Sequence, residues 1–131
     1  MDDNQIIDWL LKGDVSIQYL VQRDLLKQEK QSTRKRIEQE GWGKQILAQR
    51  NKNGHWGRGY YQPKWTSTHY TLLDLKNLGI SSGCLPARQT IKMVLETEKG
   101  ADGGINPAGT ISVSDVCING MALNFMSYFH A

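Results

Sequence analysis

The sequence predicts an all-α protein built from antiparallel helical hairpins. Three observations support this fold class. Apolar residues recur three or four positions apart in about six segments, which is the spacing of one face of a helix. Glycines and helix-capping residues separate these segments. The only stretch that resembles a strand, Ile111 to Val113, is too short to build a sheet.

The first two helices are expected to form a tight hairpin. Asp2 to Asn4 can cap the first helix, which should end at Gly13. Asp14 can cap the second helix directly afterwards. Because only a short turn separates the two helices, they should pack antiparallel. Their apolar residues are Ile6, Ile7, Leu10 and Leu11 in the first and Ile17, Leu20, Val21 and Leu25 in the second.

Four further helices follow in this interpretation. The third is capped by Ser32 or Thr33, and the glycines at 41 and 43 should kink or split it. The fourth begins at residues 66–68 and ends at Gly79. The fifth has Pro86 in its first turn and ends at Gly100, and the sixth is capped by Ser114.

Composition favours one water-soluble domain over residues 1–131. The hydrophobic fraction of 39% suffices for a core, and no apolar run approaches the roughly 20 residues that span a bilayer. The start, Met1 to Asn4, is unlike a signal peptide, so a cytoplasmic location is expected. The net charge of +3 comes from basic residues mixed with acidic ones, and no nucleic-acid partner is expected. Cys84 and Cys117 are interpreted as two small buried thiols.

Two stretches of the chain look alike at an offset of roughly 48 residues. Each has an apolar helix end, a turn of the form polar-Gly-x-apolar, a loop, and a helix opened by a hydroxyl residue. The turns are Asn53-Gly54-His55-Trp56 and Asp102-Gly103-Gly104-Ile105. A single helix pair cannot bury both of its apolar sides, so such units are expected to stack.

The first of these stretches resembles the QW repeat of squalene and hopene cyclases. The residues that carry the resemblance are Gly43, Ile46, Leu47, Gln49, Gly54 and Trp56. In the second copy Glu98 or Lys99 replaces the Gln, and Ile105 replaces the Trp. Gly103-Gly104 followed by Ser114 to Cys117 is similar to protein prenyltransferase β subunits. The resemblance implies an α/α toroid, a double ring of helices around a cavity, and an isoprenoid or other apolar ligand.

The sequence departs from these families in two ways. It has no DxDD motif, the acid with which the cyclases protonate their substrate, and about six helices make only part of a ring. The chain is therefore expected to lack catalysis of its own. It is interpreted as a truncated piece, a short paralogue, or a half-ring that closes by self-association. A monomer should expose apolar surface near residues 116–129.

The resemblance to zinc prenyltransferases implies a metal site at Asp115 and Cys117. In those enzymes a similar Asp-x-Cys supplies two zinc ligands and a later His the third. His130 lies 13 positions after Cys117, about 20 Å along a helix, so it cannot complete the set. The alternative is that Asp115 favours the positive helix N-terminus and Cys117 lies in the core.

An aromatic group forms the predicted ligand-binding site: Trp56, Tyr60, Tyr61, Trp65, His69 and Tyr70. Such rings can stabilise carbocations in terpene cyclases or stack on sugars. The alternative is that Trp56 and Trp65 plug the ends of helical hairpins. His69 should have a lowered pKa from the helix dipole, and a capping or core-edge role is an alternative to a base.

Two other functions stay open. The first is a helical-repeat module that binds proteins. The second is a carbohydrate-binding or glycosidase-type toroid, which needs a carboxylate pair about 5–10 Å apart. Its candidate carboxylates are Asp74, Asp102 and Asp115.

Overall fold

The computed structural model describes residues 1–130, apart from the His130 side chain. Within this range the chain is all-α, as predicted, and contains no strand. One isolated bridge pairs Lys99 with Ile105. The helices are α1 (Asp3–Leu10), α2 (Val15–Asp24), α3 (Gln31–Arg36), α4 (Gly41–Ala48), α5 (Thr68–Asn77), α6 (Leu85–Thr97) and α7 (Val116–His130), with a short 3₁₀ helix at Lys64–Thr66 before α5.

Two aspartates organise the N-terminal hairpin. Asp2 caps α1 by accepting a hydrogen bond from the Gln5 amide, and the Gln5 side chain accepts one from the Asp2 amide. Asp14 caps α2 by accepting a bond of 2.8 Å from the Ser16 amide. Its second oxygen accepts a bond of 2.8 Å from the amide of Trp42 at the start of α4. Asp14 therefore ties α2 to α4, which the sequence interpretation did not anticipate.

The predicted third helix is split into α3 and α4, as its glycines suggested. Gly41 has φ +65°, which a continuous right-handed helix cannot contain. At Gly43 a Cβ would lie 2.1 Å from the carbonyl oxygen of Ile37, so only glycine allows the two helices to approach this closely.

Two predicted caps are wrong. Lys30, not Ser32 or Thr33, holds the N-cap position of α3, and it makes no side-chain capping bond. Asp115, not Ser114, caps α7, because its carboxylate accepts a bond of 2.9 Å from the Ile118 amide. The Ser114 hydroxyl is instead used inside the preceding loop, where it donates to Asp102.

The helices pack in a chain of neighbours. α1 contacts α2, α2 contacts α3 and α4, α4 contacts α5, and α7 contacts both α5 and α6. α5 and α7 lie side by side and run in the same sense. His69 in the first turn of α5 contacts Phe125, and Ile80 beyond the end of α5 bonds Tyr128 further along α7.

The core lies between these helices. Its fully buried side chains include Tyr19, Ile37, Leu72, Leu75, Val94, Phe125 and Phe129. Arg34 links three parts of this core, because its guanidinium donates to the Gly79 carbonyl at 3.1 Å and to the Tyr128 hydroxyl at 2.5 Å. Cys84 is buried as expected, but Cys117 is exposed, so the interpretation of two buried thiols is wrong for Cys117. In the described range no helix is long and apolar enough to cross a bilayer.

Candidate functional site

The two glycine-containing loops are built on one hydrogen-bond pattern. We call residues 49–67, between α4 and α5, the first loop, and residues 98–115, between α6 and α7, the second loop. In the first, the Asn51 amide donates to the His55 carbonyl at 2.8 Å and the His55 amide to the Asn53 side chain at 3.0 Å.

The second loop repeats these bonds 49 residues later. The Gly100 amide donates to the Gly104 carbonyl at 2.7 Å, and the Gly104 amide donates to the Asp102 side chain at 3.1 Å. The glycine directly before the carbonyl acceptor of each turn has a positive φ, which is +89° at Gly54 and +83° at Gly103. These shared bonds and angles support the internal repeat that the sequence indicates.

Each loop is also fastened to the helix that follows it. The Trp56 amide donates to the Thr68 hydroxyl at 2.9 Å, at the start of α5. At the matching position, the Ile105 amide donates to the Asn119 side chain at 2.8 Å, in the first turns of α7. The Asn119 amide group returns a bond of 2.9 Å to the Ile105 carbonyl. Asn119 is thus a loop anchor, and its polarity within an apolar helix was the signal in the sequence.

The two loops lie against each other. Nε2 of His55 is 3.6 Å from a carboxylate oxygen of Glu98, and both side chains are largely shielded from solvent. The Asn106 amide donates to the Glu98 carbonyl at 2.8 Å, a bond within the second loop that holds the Glu98 backbone in place. Glu98 therefore couples the loops, a role that its position in the sequence did not reveal.

A cavity of about 580 Å³ opens between the loops, and we call it the loop groove. Its walls are partly apolar and partly polar, and both loops and the start of α7 contribute to it. Its principal lining residues are Arg58, Tyr60, Tyr61, Glu98, Asn106, Pro107, Ile111, Asp115 and Ile118.

One acceptor beside the loop groove has no partner among the described residues. The Asn106 side-chain amide donates to the Ile111 carbonyl at 2.8 Å, whereas its oxygen Oδ1 is buried and makes no hydrogen bond. Leaving such an oxygen unpaired costs about 1–3 kcal/mol.

The predicted aromatic site is brought together in part. His69 lies at its centre, with ring centroids 5.3 Å from Tyr60, 5.4 Å from Tyr61 and 5.0 Å from Tyr70. The Trp65 ring lies 4.9 Å from the Tyr70 ring, at a tilt of 54°. Phe125 of α7 joins the group at 5.3 Å from His69, and sequence reasoning missed it because it is far away along the chain.

Burial governs the titration of this cluster. His69 is fully buried, and desolvation lowers its pKa to about 4. The predicted direction is therefore confirmed, but the cause is burial and not the helix dipole. Nδ1 of His69 shares a hydrogen bond of 2.8 Å with the Tyr60 hydroxyl, while Nε2 is buried without a partner among the described residues.

Tyr61 connects the aromatic cluster to the loop groove. Its pKa is raised to about 12, chiefly because its hydroxyl shares a hydrogen bond with Tyr70, and also by burial and by the nearby Asp115 and Cys117. The Tyr61 and Tyr70 oxygens are 3.5 Å apart. Tyr61 is therefore a neutral phenol at physiological pH.

The two tryptophans of the predicted site have different environments. Trp56 is buried, and its indole N–H donates at 2.8 Å to the carbonyl of Ile46 in the last turn of α4. This is the plugging role expected of the QW-like motif. Trp65 is 69% exposed, so it does not plug a hairpin end. Both rings line a second cavity of about 430 Å³, together with Asp74.

Asp115 and Cys117 lie together at the start of α7. No group of three or more His, Cys, Asp or Glu side chains that could hold a metal occurs among the described residues. His55 is engaged with Thr68 and Glu98, and His69 with Tyr60. The zinc site stays a prediction with two ligands.

The three candidate carboxylates for glycoside chemistry occupy different places. Asp74 lines the cavity beside the tryptophans, where burial raises its pKa. Asp102 is used within the second loop, where bonds from Ser114 and Gly104 lower its pKa. Asp115 lines the loop groove, where its companion is Glu98. Sequence reasoning did not select Glu98, because it is a loop residue without a motif.

Comparisons with protein-family models, curated proteins and solved structures gave no match to this chain.

Proposed function

We propose that this chain forms part of an α/α toroid of the terpenoid-cyclase and prenyltransferase kind, without catalysis of its own, and binds a neutral isoprenoid in the loop groove. The observation that carries the proposal is the shared hydrogen-bond pattern of the two loops. Two further features support it. α5 and α7 run in the same sense, as successive inner helices of a toroid do, and Trp56 plugs the end of α4.

The walls of the loop groove suit a largely apolar ligand. Ile111, Ile118 and Pro107 supply aliphatic surface, and Tyr60 and Tyr61 supply aromatic faces. Burial of such surface stabilises a complex by about 25 cal/mol per Å² of apolar area. A prenyl chain with one hydroxyl group would fill this surface, and the hydroxyl would donate to the Glu98 or Asp115 carboxylate.

The charges of the loop groove argue against a diphosphate headgroup. Among the described residues Arg58 is the only cation that lines the groove, and it is opposed by Glu98 and Asp115. Diphosphate sites use several cations or a metal to offset the ligand charge. A prenyl alcohol should therefore bind more tightly than the corresponding diphosphate.

Calorimetric titration with farnesol and with farnesyl diphosphate tests this proposal. Farnesol should bind, and Ile111→Asp should weaken its affinity about tenfold or more, because a charge enters the apolar wall. Val113→Asp is the matched control, since Val113 lies in the same loop, is 69% exposed and does not line the groove. Absence of farnesol binding, or equal loss in both variants, would contradict the proposal.

A saccharide is a second candidate ligand. The specific observation that favours it is that Glu98 and Asp115 line the same cavity as two tyrosine rings. Oligosaccharides in the same titration would distinguish the two ligands. Binding of a saccharide that Ile111→Asp leaves intact would place it outside the loop groove. A protein-interaction module without a small ligand is the alternative if neither class binds.

A further inference from the structure

One face of α7 presents an apolar side chain to solvent. Thr68 and Asn119 both anchor a loop turn, but Thr68 is the first residue of α5 and Asn119 the fourth residue of α7. One turn after these anchors, Leu72 of α5 is fully buried, whereas Leu123 of α7 is 71% exposed. This part of α7 therefore has an apolar face that no described residue covers.

This face borders a groove of about 570 Å³ between α6 and α7, which we call the α6/α7 groove. Its apolar floor is formed by Ile91, Leu95, Leu123 and Met126. Its rim has a net positive charge. Lys99 lines the groove, and the adjoining cavity on α6 is lined by Arg88, Lys92 and a single acid, Glu96. An occupant should therefore be an amphipathic segment that is apolar on one face and acidic beside it.

α1 has these properties. None of its residues is buried. Ile6 is 39% exposed and Trp9, three positions further on the same face, is 64% exposed. Asp3 and Asp8 make the helix acidic, and it contains neither Lys nor Arg. Within its own chain α1 contacts α2.

We infer that α1 of a second copy of this chain packs into the α6/α7 groove, with Trp9 on Leu123 and the α1 carboxylates beside Lys92 and Lys99. α1 and the α6/α7 groove are different parts of the chain, so each copy can place its α1 in the groove of the other copy and accept the other α1 in its own groove. Two such contacts related by a twofold axis close a dimer and leave no free groove. This dimer builds on the proposed partial ring, although its contacts require no ligand.

Sedimentation velocity over a range of micromolar concentrations tests this inference on the full chain. The wild-type protein should form a reversible dimer. Leu123→Asp and Trp9→Ser should each raise the dissociation constant of the dimer about tenfold or more, as loss of a central interface residue does. Leu25→Asp is the matched control, because Leu25 is 57% exposed and lies on neither surface, and it should dimerise normally. Circular dichroism verifies that each variant is folded.

Two further measurements establish which surfaces meet. Lys92→Glu with Lys99→Glu should weaken the dimer, and adding Asp3→Lys with Asp8→Lys should restore it. A mixture of Leu123→Asp and Trp9→Ser chains should form a heterodimer, because one intact groove meets one intact α1. A wild-type chain that stays monomeric would overturn the inference, as would a Trp9→Ser chain that dimerises normally.

The dimer and the ligand site can fail separately. Ile111→Asp lies in the loop groove and should leave dimerisation unchanged. A monomer that binds farnesol would overturn only the dimer, and a dimer that binds no prenyl alcohol would overturn only the proposed ligand.

Discussion

The first and second loops share a backbone scaffold but carry different side chains. Each turn closes on a polar side chain, Asn53 in one and Asp102 in the other, and each is fastened to the next helix by a side-chain acceptor. Trp56 fills the space beside the first turn, while the smaller Ile105 fills that beside the second. The comparison teaches that the backbone hydrogen bonds, rather than the size of the buried side chain, define the repeat.

The two loops also differ in how they reach the next helix. Thr68 lies 12 residues after Trp56, whereas Asn119 lies 14 residues after Ile105. The accepting threonine, with a short side chain, is the first residue of α5. The accepting asparagine, with a longer side chain, is the fourth residue of α7. The anchor of the second loop therefore lies about one turn further into its helix, and the amide at the anchored position is satisfied in both loops.

The largest expected difference between the loops concerns their buried apolar residues. Trp56→Ala should cost about 3–5 kcal/mol of unfolding free energy, because it leaves a cavity and frees the Ile46 carbonyl. Ile105→Ala should cost less, about 2–3 kcal/mol. Urea denaturation of both variants measures the difference. If Ile105→Ala were the more damaging, the assignment of Trp56 as the principal plug would be wrong.

The second expected effect is a histidine-linked pH dependence of the first unit, since no histidine lies in the first turns of α7. Burial lowers the pKa of His69 to about 4 from its ordinary value of 6.5. The unfolded state therefore binds the proton first, and stability that is present above pH 6.5 is lost as the pH falls toward 4. The loss should approach about 3 kcal/mol.

The test compares Tyr60→Phe with the double variant Tyr60→Phe/His69→Phe. Both variants lack the Tyr60 hydroxyl, because removing His69 alone would leave that hydroxyl without its hydrogen-bond partner. Chemical denaturation at pH 7 and at pH 4.5 should show the loss in the first variant and not in the double variant. Parallel pH profiles in the two variants would rule out His69 as the cause.

The third effect concerns the helix anchors. Thr68→Val keeps the shape of the side chain but leaves the buried Trp56 amide without an acceptor, which should cost about 1–3 kcal/mol. Thr68→Ser retains the hydroxyl and should recover most of that stability. Thermal or urea unfolding would reveal equal losses in the two variants if the hydroxyl were unimportant.

The smallest effect concerns the two loop glycines. Gly103→Ala should cost about 1–2 kcal/mol because its φ of +83° disfavours a Cβ, and no atom lies within 4 Å of that Cβ. Gly54→Ala should cost more, since its Cβ would also lie 2.9 Å from the Met93 sulfur. The same denaturation assay ranks them, and a harmless Gly103→Ala would mean that this turn does not need the left-handed conformation.

Much of the fold could be predicted because it is encoded locally. Helix periodicity, the caps at Asp2 and Asp14 and the break at Gly41 depend on residues only a few positions apart. The errors arose where a distant partner decides the outcome. Ser114 is a good capping residue, but Asp102 binds its hydroxyl and leaves the cap to Asp115.

The candidate site could be predicted only in part for the same reason. Tyr60, Tyr61, His69 and Tyr70 lie within one segment, so their clustering follows from composition. Two polar residues of the loop groove come from the second loop and were not selected as site residues. Glu98 and Asn106 become recognisable only when the two loops are placed side by side.

Amide hydrogen exchange, followed by NMR, tests the shared loop scaffold most directly. The account predicts slow exchange at the amides of Asn51, His55 and Trp56, matched by slow exchange at Gly100, Gly104 and Ile105. Protection in only one loop, or in neither, would contradict the claim that the chain contains two copies of one structural unit.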